Sequence, residues 1–354
     1  MLGKDPSVRI WSEDPFNAEP PADRLGDHTL TPTELFYVRN HGPIPELDPA
    51  HHRIVVDGLV EQPLELSLAD LRERFAARAV VAALQCAGNR RADLMAERDI
   101  PGEVPWGPAT IGTARWEGAP LIDILGEAGV ADGARHVAFE GADDVEEAGQ
   151  GVGFGGSIPL DAASGAVLAW AMNGAPLTHV HGAPVRVVVP GYIGARSVKW
   201  LRRIELRADP SPNHFQQASY RLVPPGSQDP ATGLMLEEFP VNAAICAPAD
   251  GERVPAGPVT VEGWAIGGGS RPLARVDVSA DGGTTWRSAD LGEDLGPWAW
   301  RWWRVELELP AGEHELVARA WDASAAVQPE RSGPLWNLKG YMSSAWPRVT
   351  VRAG

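Results

Sequence analysis

Cysteine is nearly absent. Two residues, Cys86 and Cys246, stand far apart in 354. They cannot build a disulfide framework, and the missing C-x-x-C and C-x-x-C-H patterns exclude a zinc knuckle and a c-type haem. The chain therefore suits a reducing compartment, with a thiol free to act as ligand or nucleophile. No apolar run approaches the roughly 18 residues that a membrane span needs. Basic side chains are also in deficit, 31 against 47 acidic ones, for a net charge of −16. Nucleic acid and anionic membrane are poor partners for such a surface. An anionic substrate would need a local basic pocket. The first residues, MLGKDPSVRIWSEDPFNAEPP, show neither an apolar h-region nor a twin arginine. The expected compartment is thus the cytoplasm, or the periplasm had a leader been removed.

What is present is ordinary for a folded protein: 44% hydrophobic and 22% charged residues. The length favours two domains. Residues 1–35 are Pro-rich and read as mostly irregular. The run 53–60, RIVVDGLV, reads as a strand, and SLADLRERF as a short helix beginning at Ser67 with Asp70 favouring its N-terminus. Val80 to Gln85 is a buried strand that delivers Cys86 to the turn Ala87-Gly88-Asn89. PLIDILGEAG from Pro120 reads as a helix stopped by Gly129, and 184–190, PVRVVVP, as another buried strand. This mixture is α+β. The domain organisation expected is a first domain over 1–207, a polar linker wrapping the surface over 208–239, and a second domain over 240–354. In the last, Val259/Val261, Val276/Val278 and Val305/Leu307/Leu309 alternate with polar residues, the pattern of an antiparallel sandwich.

Several motifs dissolve on inspection. GVGFGG at 151–156 matches a dinucleotide fingerprint, yet acidic residues precede it and SIPL follows, so the strand and helix it requires are missing. His179 and His181 lack a third metal ligand nearby. Cys86 reads either as a small buried hydrophobe or as a functional thiolate. Arg90 and Arg91 follow closely and would stabilise the ionised form. Chemistry alone leaves nucleophile and metal ligand both open.

Six segments, PFNAEPP (15–21), FYVRNHGPIP (36–45), LQCAGNRR (84–91), IGTARWEGAPL (111–121), HGAPVRVVVPGYIGARSVKW (181–200) and WNLKGYMSSAWPRV (336–349), resemble the sulfite oxidase family, in its order and over nearly the whole chain. The resemblance implies a molybdopterin-binding catalytic domain followed by an immunoglobulin-like dimerisation domain, hence a homodimer. It implies that Cys86 binds molybdenum, as suits a soft thiolate. Tyr37, Val38, Arg39, Asn40, His41, Asp143, His181, Arg186, Ser197, Val198 and Lys199 would contact the molybdopterin, with Arg186 and Lys199 suited to its phosphate. Arg39, Arg91, Trp106, Tyr220 and Lys339 would form the substrate pocket, Lys339 reaching in from the second domain.

The implied reaction is oxygen-atom transfer that converts sulfite to sulfate. These 354 residues include no cytochrome b5 motif such as HPGG and no flavin domain. No haem or flavin is therefore expected in the chain, and electrons would pass to an external acceptor, a cytochrome c being one candidate. Two departures bear on the substrate. Lys339 stands where animal and plant sulfite oxidases have arginine and nitrate reductases methionine; Gly102 stands where animal enzymes have lysine. Tyr220 favours the sulfite branch. The alternatives are a reductase of nitrate or another oxyanion, and a non-catalytic β-sandwich binding protein. Intact Cys86, Arg39 and Arg186 argue against the last.

Overall fold

The computed structural model describes residues 2–354 except 27, 148–149, 224–225 and 228. Two sheets build the first domain. One orders Ala175–Pro176, Val167–Met172, Ile111–Pro120 and Arg78–Gln85, with Arg186–Val188 paired to Val167–Met172. The other orders Leu64–Leu66, Ile54–Gly58, Leu201–Arg207, His136–Glu147 and Gln150–Pro159. Leu201–Arg207 runs parallel to Ile54–Gly58 and antiparallel to His136–Glu147. Among the described residues three α-helices occur, Leu68–Arg74, Arg91–Glu97 and Leu121–Ala128.

Local chemistry explains the helix ends. Ser67 caps the first helix reciprocally: its Oγ accepts from the Asp70 amide at 3.0 Å, and Asp70 Oδ2 accepts from the Ser67 amide at 2.8 Å. Gly129, at φ +68°, ends the Leu121–Ala128 helix in a region other residues avoid.

The second domain is a sandwich of a four-stranded sheet, Asn242–Ala247, Gly257–Ile266, Arg301–Leu309 and Asp290–Leu291, on a five-stranded one containing Leu273–Ser279, Gly312–Asp322 and Arg348–Ala353. The alternating valines and leucines point inward as their period requires. Asp277 departs from that pattern. It is fully buried and is compensated by Arg275 at 2.7 Å, Arg319 at 3.3 Å and Ser288 at 2.9 Å.

The domains share a core. Trp264 and Trp300, from the sandwich, are buried with apolar residues of the first domain. Trp264 Nε1 donates to the Pro108 carbonyl at 3.0 Å, and Trp300 Nε1 to Thr29 at 3.2 Å. Burying one such indole, about 200 Å², contributes on the order of 5 kcal/mol.

Three expectations change. The N-terminal segment is not irregular throughout, because Arg9–Glu13 and Phe16–Glu19 pair as a hairpin. The 208–239 segment does not merely wrap the surface. It forms a wide helical turn at Phe215–Ser219 and buries Phe215, Tyr220 and Phe239. Residues 224–225 and 228 of that segment lie outside the described residues. The helix Arg91–Glu97 carries no advance signal in the sequence. The glycines of GVGFGG lie in the strand Gln150–Pro159, where an added Cβ at Gly155 would meet the Phe139 carbonyl at 2.6 Å. They serve close strand packing.

Candidate active site

The apolar strand Arg78–Gln85 ends at the floor of a cavity of about 670 Å³, counted to its open mouth, and hands Cys86 to it. The Cys86 amide donates to the Thr110 carbonyl at 2.9 Å, its carbonyl accepts from Asn89 at 2.9 Å, and the Gly88 amide points at Sγ from 3.4 Å. Burial raises the thiol's pKa, while Arg91, Arg39 and the Gly88 amide pull it back. A soft anion at this position thus has two guanidiniums and one amide in its favour.

Arg90 does not join them. It takes a left-handed φ of +61°, caps the helix Arg91–Glu97, and sends its buried guanidinium to Asn242 Oδ1 and the Ala243 carbonyl, both at 2.9 Å. It stitches the domains together rather than stabilising the thiolate.

One wall of the cavity is the segment Tyr37–His41. Asn17, from the N-terminal hairpin, fixes it by accepting from the Asn40 amide at 2.8 Å. The half-buried His41 ring stacks on Phe154 at 4.6 Å and meets Phe215 at 4.8 Å. Its Nε2 lies 2.9 Å from the Tyr220 phenol, which stacks on Tyr341 at 5.3 Å. Desolvation, then Arg39 and Lys199, hold His41 well below its ordinary pKa, so the ring is neutral.

The opposite wall is cationic. Arg186 donates to the carbonyls of His181 at 3.1 Å and Ser197 at 2.7 Å. Burial lowers its pKa to about 10. Lys199 bonds Asn40 Oδ1 and lies near Asp143; burial, with Arg186 beside it, pushes its ammonium well below the usual range. Behind His181 and outside the cavity lining, Lys4, which the sequence does not mark, donates to the carbonyls of Thr33 and Phe36 and faces His181 Nε2, each at 2.7 Å. Desolvation lowers Lys4 to about 7.

Asn40 Nδ2, Asp143 Oδ1 and Arg186 Nε are buried without a protein partner. Such groups are costly unless something polar meets them. A pocket with crowded basic groups, whose charge an anion would restore, with orphaned donors and one acceptor fits an anionic molecule with hydrogen-bonding edges. That is the chemistry of a phosphorylated pterin. Among the described residues no three His, Cys, Asp or Glu side chains converge. A metal at Cys86 would therefore take its remaining ligands from the cofactor.

The structure brings Cys86, Tyr37, Val38, Arg39, Asn40, His41, Asp143, His181, Arg186, Ser197, Lys199 and Tyr220 to one cavity. Others stand apart from it. Val198 is a core side chain whose backbone carbonyl accepts from Val187. Trp106 is fully buried, edge-on to Trp11 at 6.2 Å. Arg91 is buried beside the Cys86 loop and lies 5.5 Å from the Tyr341 ring. Lys339 departs from expectation: its side chain does not line the cavity that Arg39 and Tyr220 share. It pairs with Glu103 at 2.9 Å with half its side chain in solvent, and only its backbone carbonyl meets Arg91, at 2.8 Å. The nearby carboxylate holds the flexible stem outside. Tyr341, Phe154 and Glu103 were missed as well, since nothing local marks them.

Family models agree with this site. The oxidoreductase molybdopterin binding domain matches residues 41–215, and the Mo-co oxidoreductase dimerisation domain residues 234–354. The chain is 46% identical to sulfite oxidase of Gallus gallus, covering 98% of this chain and 78% of that protein. It is 43% identical to the mitochondrial sulfite oxidase of Homo sapiens, covering 98% and 66%. It is 38% identical to the nitrate reductase of Hordeum vulgare, but spans only 42% of it. Among solved structures, the sulfane dehydrogenase SoxCD of Paracoccus pantotrophus superposes with a TM-score of 0.85 at 27% identity, covering 98% of this chain and 88% of that one. The thiol, the cationic cradle and these likenesses agree, and the chain belongs to the sulfite oxidase family of molybdopterin-dependent oxidoreductases.

Proposed function

We infer that this enzyme oxidises sulfite to sulfate and releases the two electrons to a separate acceptor, a one-electron carrier such as a cytochrome c. The observation that carries this reading is the buried Cys86 thiol sharing one cavity with Arg39 and Tyr220, with Arg91 buried beside the Cys86 loop. Cys86 would hold the metal. Lys199, Arg186, His181, Asp143 and the backbone of 37–41 would hold the pterin and its phosphate. When bound, the cofactor supplies the oxygen atom and the two-electron sink.

The chain's own residues do the rest. Arg39 draws an oxyanion toward the thiol against the protein's overall negative charge. Tyr220 keeps its proton, because burial holds its pKa well above the usual value, and so it can donate to an anionic oxygen. The aromatic wall of His41, Phe154 and Phe215 excludes water, which strengthens both contacts. The sandwich domain supports assembly as a homodimer.

Purified protein assayed for metal should hold about one molybdenum per chain, and Cys86→Ser should lose turnover by orders of magnitude while folding normally. Turnover with sulfite and an artificial acceptor should far exceed turnover with nitrate and an artificial donor. Faster nitrate reduction would replace this reading with the oxyanion reductase. A Cys86→Ser protein at full activity would remove the ligand assignment.

A further inference from the structure

Glu103 bridges one cation from each domain, Arg91 from the first and Lys339 from the second. It follows the Pro101-Gly102 turn, where Gly102 takes φ +81°. Its carboxylate spans two partners: Oε2 lies 3.3 Å from Arg91 Nη2, and Oε1 lies 2.9 Å from Lys339 Nζ. Arg91 is otherwise committed. Its Nε donates to the Lys339 carbonyl at 2.8 Å and its Nη1 to Val104 at 2.9 Å. Nη2 is thus the arm held by a side chain rather than by backbone, and Glu103 holds it. The carboxylate is partly open to solvent, at 18% side-chain exposure, whereas Arg91 is 4% exposed. An anion approaching Arg91 from outside meets Glu103 first.

We propose that Glu103 is a specificity-determining residue, an internal anion that occupies the cationic face of Arg91 and Lys339 and that an oxyanion must displace in order to bind. This rests on the sulfite-oxidising reading above. A carboxylate and a sulfur oxyanion offer a guanidinium the same oxygen spacing, so they compete for one fork. The competition weakens substrate and product alike and helps sulfate leave. It also accounts for Lys339 lying at the rim, since the ammonium neutralises the carboxylate there. Arg91 lies 5.5 Å from the Tyr341 ring, which stacks on the Tyr220 ring of the pocket at 5.3 Å, so the bridge stands one side chain behind the cavity.

The test uses the holoenzyme. Sulfate binding is measured by calorimetry and sulfite KM by steady-state turnover, for wild type, Glu103→Gln, Lys339→Met and a control, Glu313→Gln. Glu313 pairs with Arg352 on the exposed surface, so its loss changes net charge without touching the site. Glu103→Gln keeps size and removes charge. It should tighten sulfate binding and lower the sulfite KM by about tenfold each, the scale of one charge-assisted hydrogen bond. Lys339→Met should move both about threefold the other way, because Glu103 then closes on Arg91 alone. The control should move neither by more than about twofold. A merely structural bridge would shift the melting temperature and leave Kd and KM in place, which would overturn the proposal. So would a control that matches Glu103→Gln, or a Lys339→Met protein that binds sulfate more tightly. A wild-type protein that turns over no sulfite and binds no sulfate would instead remove the functional reading itself.

Discussion

Nε2 of His41 lies 2.9 Å from the phenol oxygen of Tyr220, and the far face of that phenol stacks on Tyr341 at 5.3 Å. The histidine is held neutral by burial and by the cations around it, and the phenol is held protonated by burial. The pair is therefore a hydrogen bond between neutral groups throughout the working pH range, with the phenol's position set by two neighbours.

Tyr220→Phe keeps the stacking and loses the hydroxyl. If that hydroxyl meets the substrate anion, kcat/KM for sulfite should fall by about ten- to a hundred-fold, the equivalent of about 1–3 kcal/mol for a hydrogen bond to a charged group. No new pH-dependent limb should emerge between about pH 6 and 9, since His41 does not titrate there. Steady-state kinetics across that range decides it. An efficiency within twofold of wild type would make Tyr220 a wall and nothing more.

Lys4 predicts a pH dependence of stability in the cofactor-free protein. Burial lowers its pKa from 10.5 to about 7. Between those values the unfolded chain binds a proton that the folded chain does not, so stability rises with pH across the window. The cost of burying the charged ammonium is fully present below about pH 7 and is relieved above it, amounting to a few kcal/mol at most. Urea melts at pH 7, 8 and 9 should show the rise in wild type and a flatter trend in Lys4→Met. Loading the anionic cofactor should shrink the difference, because a nearby anion keeps the ammonium charged. Parallel curves for the two proteins would show that Lys4 titrates normally.

The sandwich predicts assembly. Light scattering at micromolar concentration should give twice the 37.8 kDa chain mass. The interface should bury more than about 1,000 Å² in total. Truncation before residue 234 is a poor test, because Trp264 and Trp300 complete the first domain's core. A monomer mass for the whole chain would count against the dimer.

Most of the site could be read from sequence because its parts sit in contiguous stretches. Tyr37 to His41 form one wall segment, and Arg186, Ser197 and Lys199 come from one strand-loop-strand block. The α+β mixture and the sandwich were legible from hydrophobic period. What escaped depends on partners remote in sequence. Arg90 and Arg91 are adjacent, yet one turns to Ala243 and the other toward Glu103, a divergence set by the left-handed backbone at Arg90. Lys339 is turned outward by a carboxylate 236 residues away. Lys4 sits in a stretch without periodicity, so only tertiary contact marks it.

Two glycines test how closely Arg91 must be placed. A Cβ at Gly88 would lie 2.5 Å from Arg91 Nη2 and 2.7 Å from Cζ, the movable end of the side chain. Gly88 is not among the residues of positive φ, so alanine suits its backbone. Gly88→Ala should therefore displace the guanidinium while the protein stays folded and keeps its molybdenum. The sulfite KM should rise by about tenfold, since a displaced fork loses one charged hydrogen bond. Gly340 differs in kind. Its Cβ would meet Arg91 Cγ at 2.5 Å, near the fixed root of the side chain, and its φ is +58°. Gly340→Ala adds backbone strain to a clash that cannot swing away, so it should cost about 1–3 kcal/mol of stability as well as affinity. Paired melting curves and KM values separate the two. A Gly88→Ala enzyme with wild-type KM would mean that Arg91 acts on the thiol from a distance and does not touch the substrate.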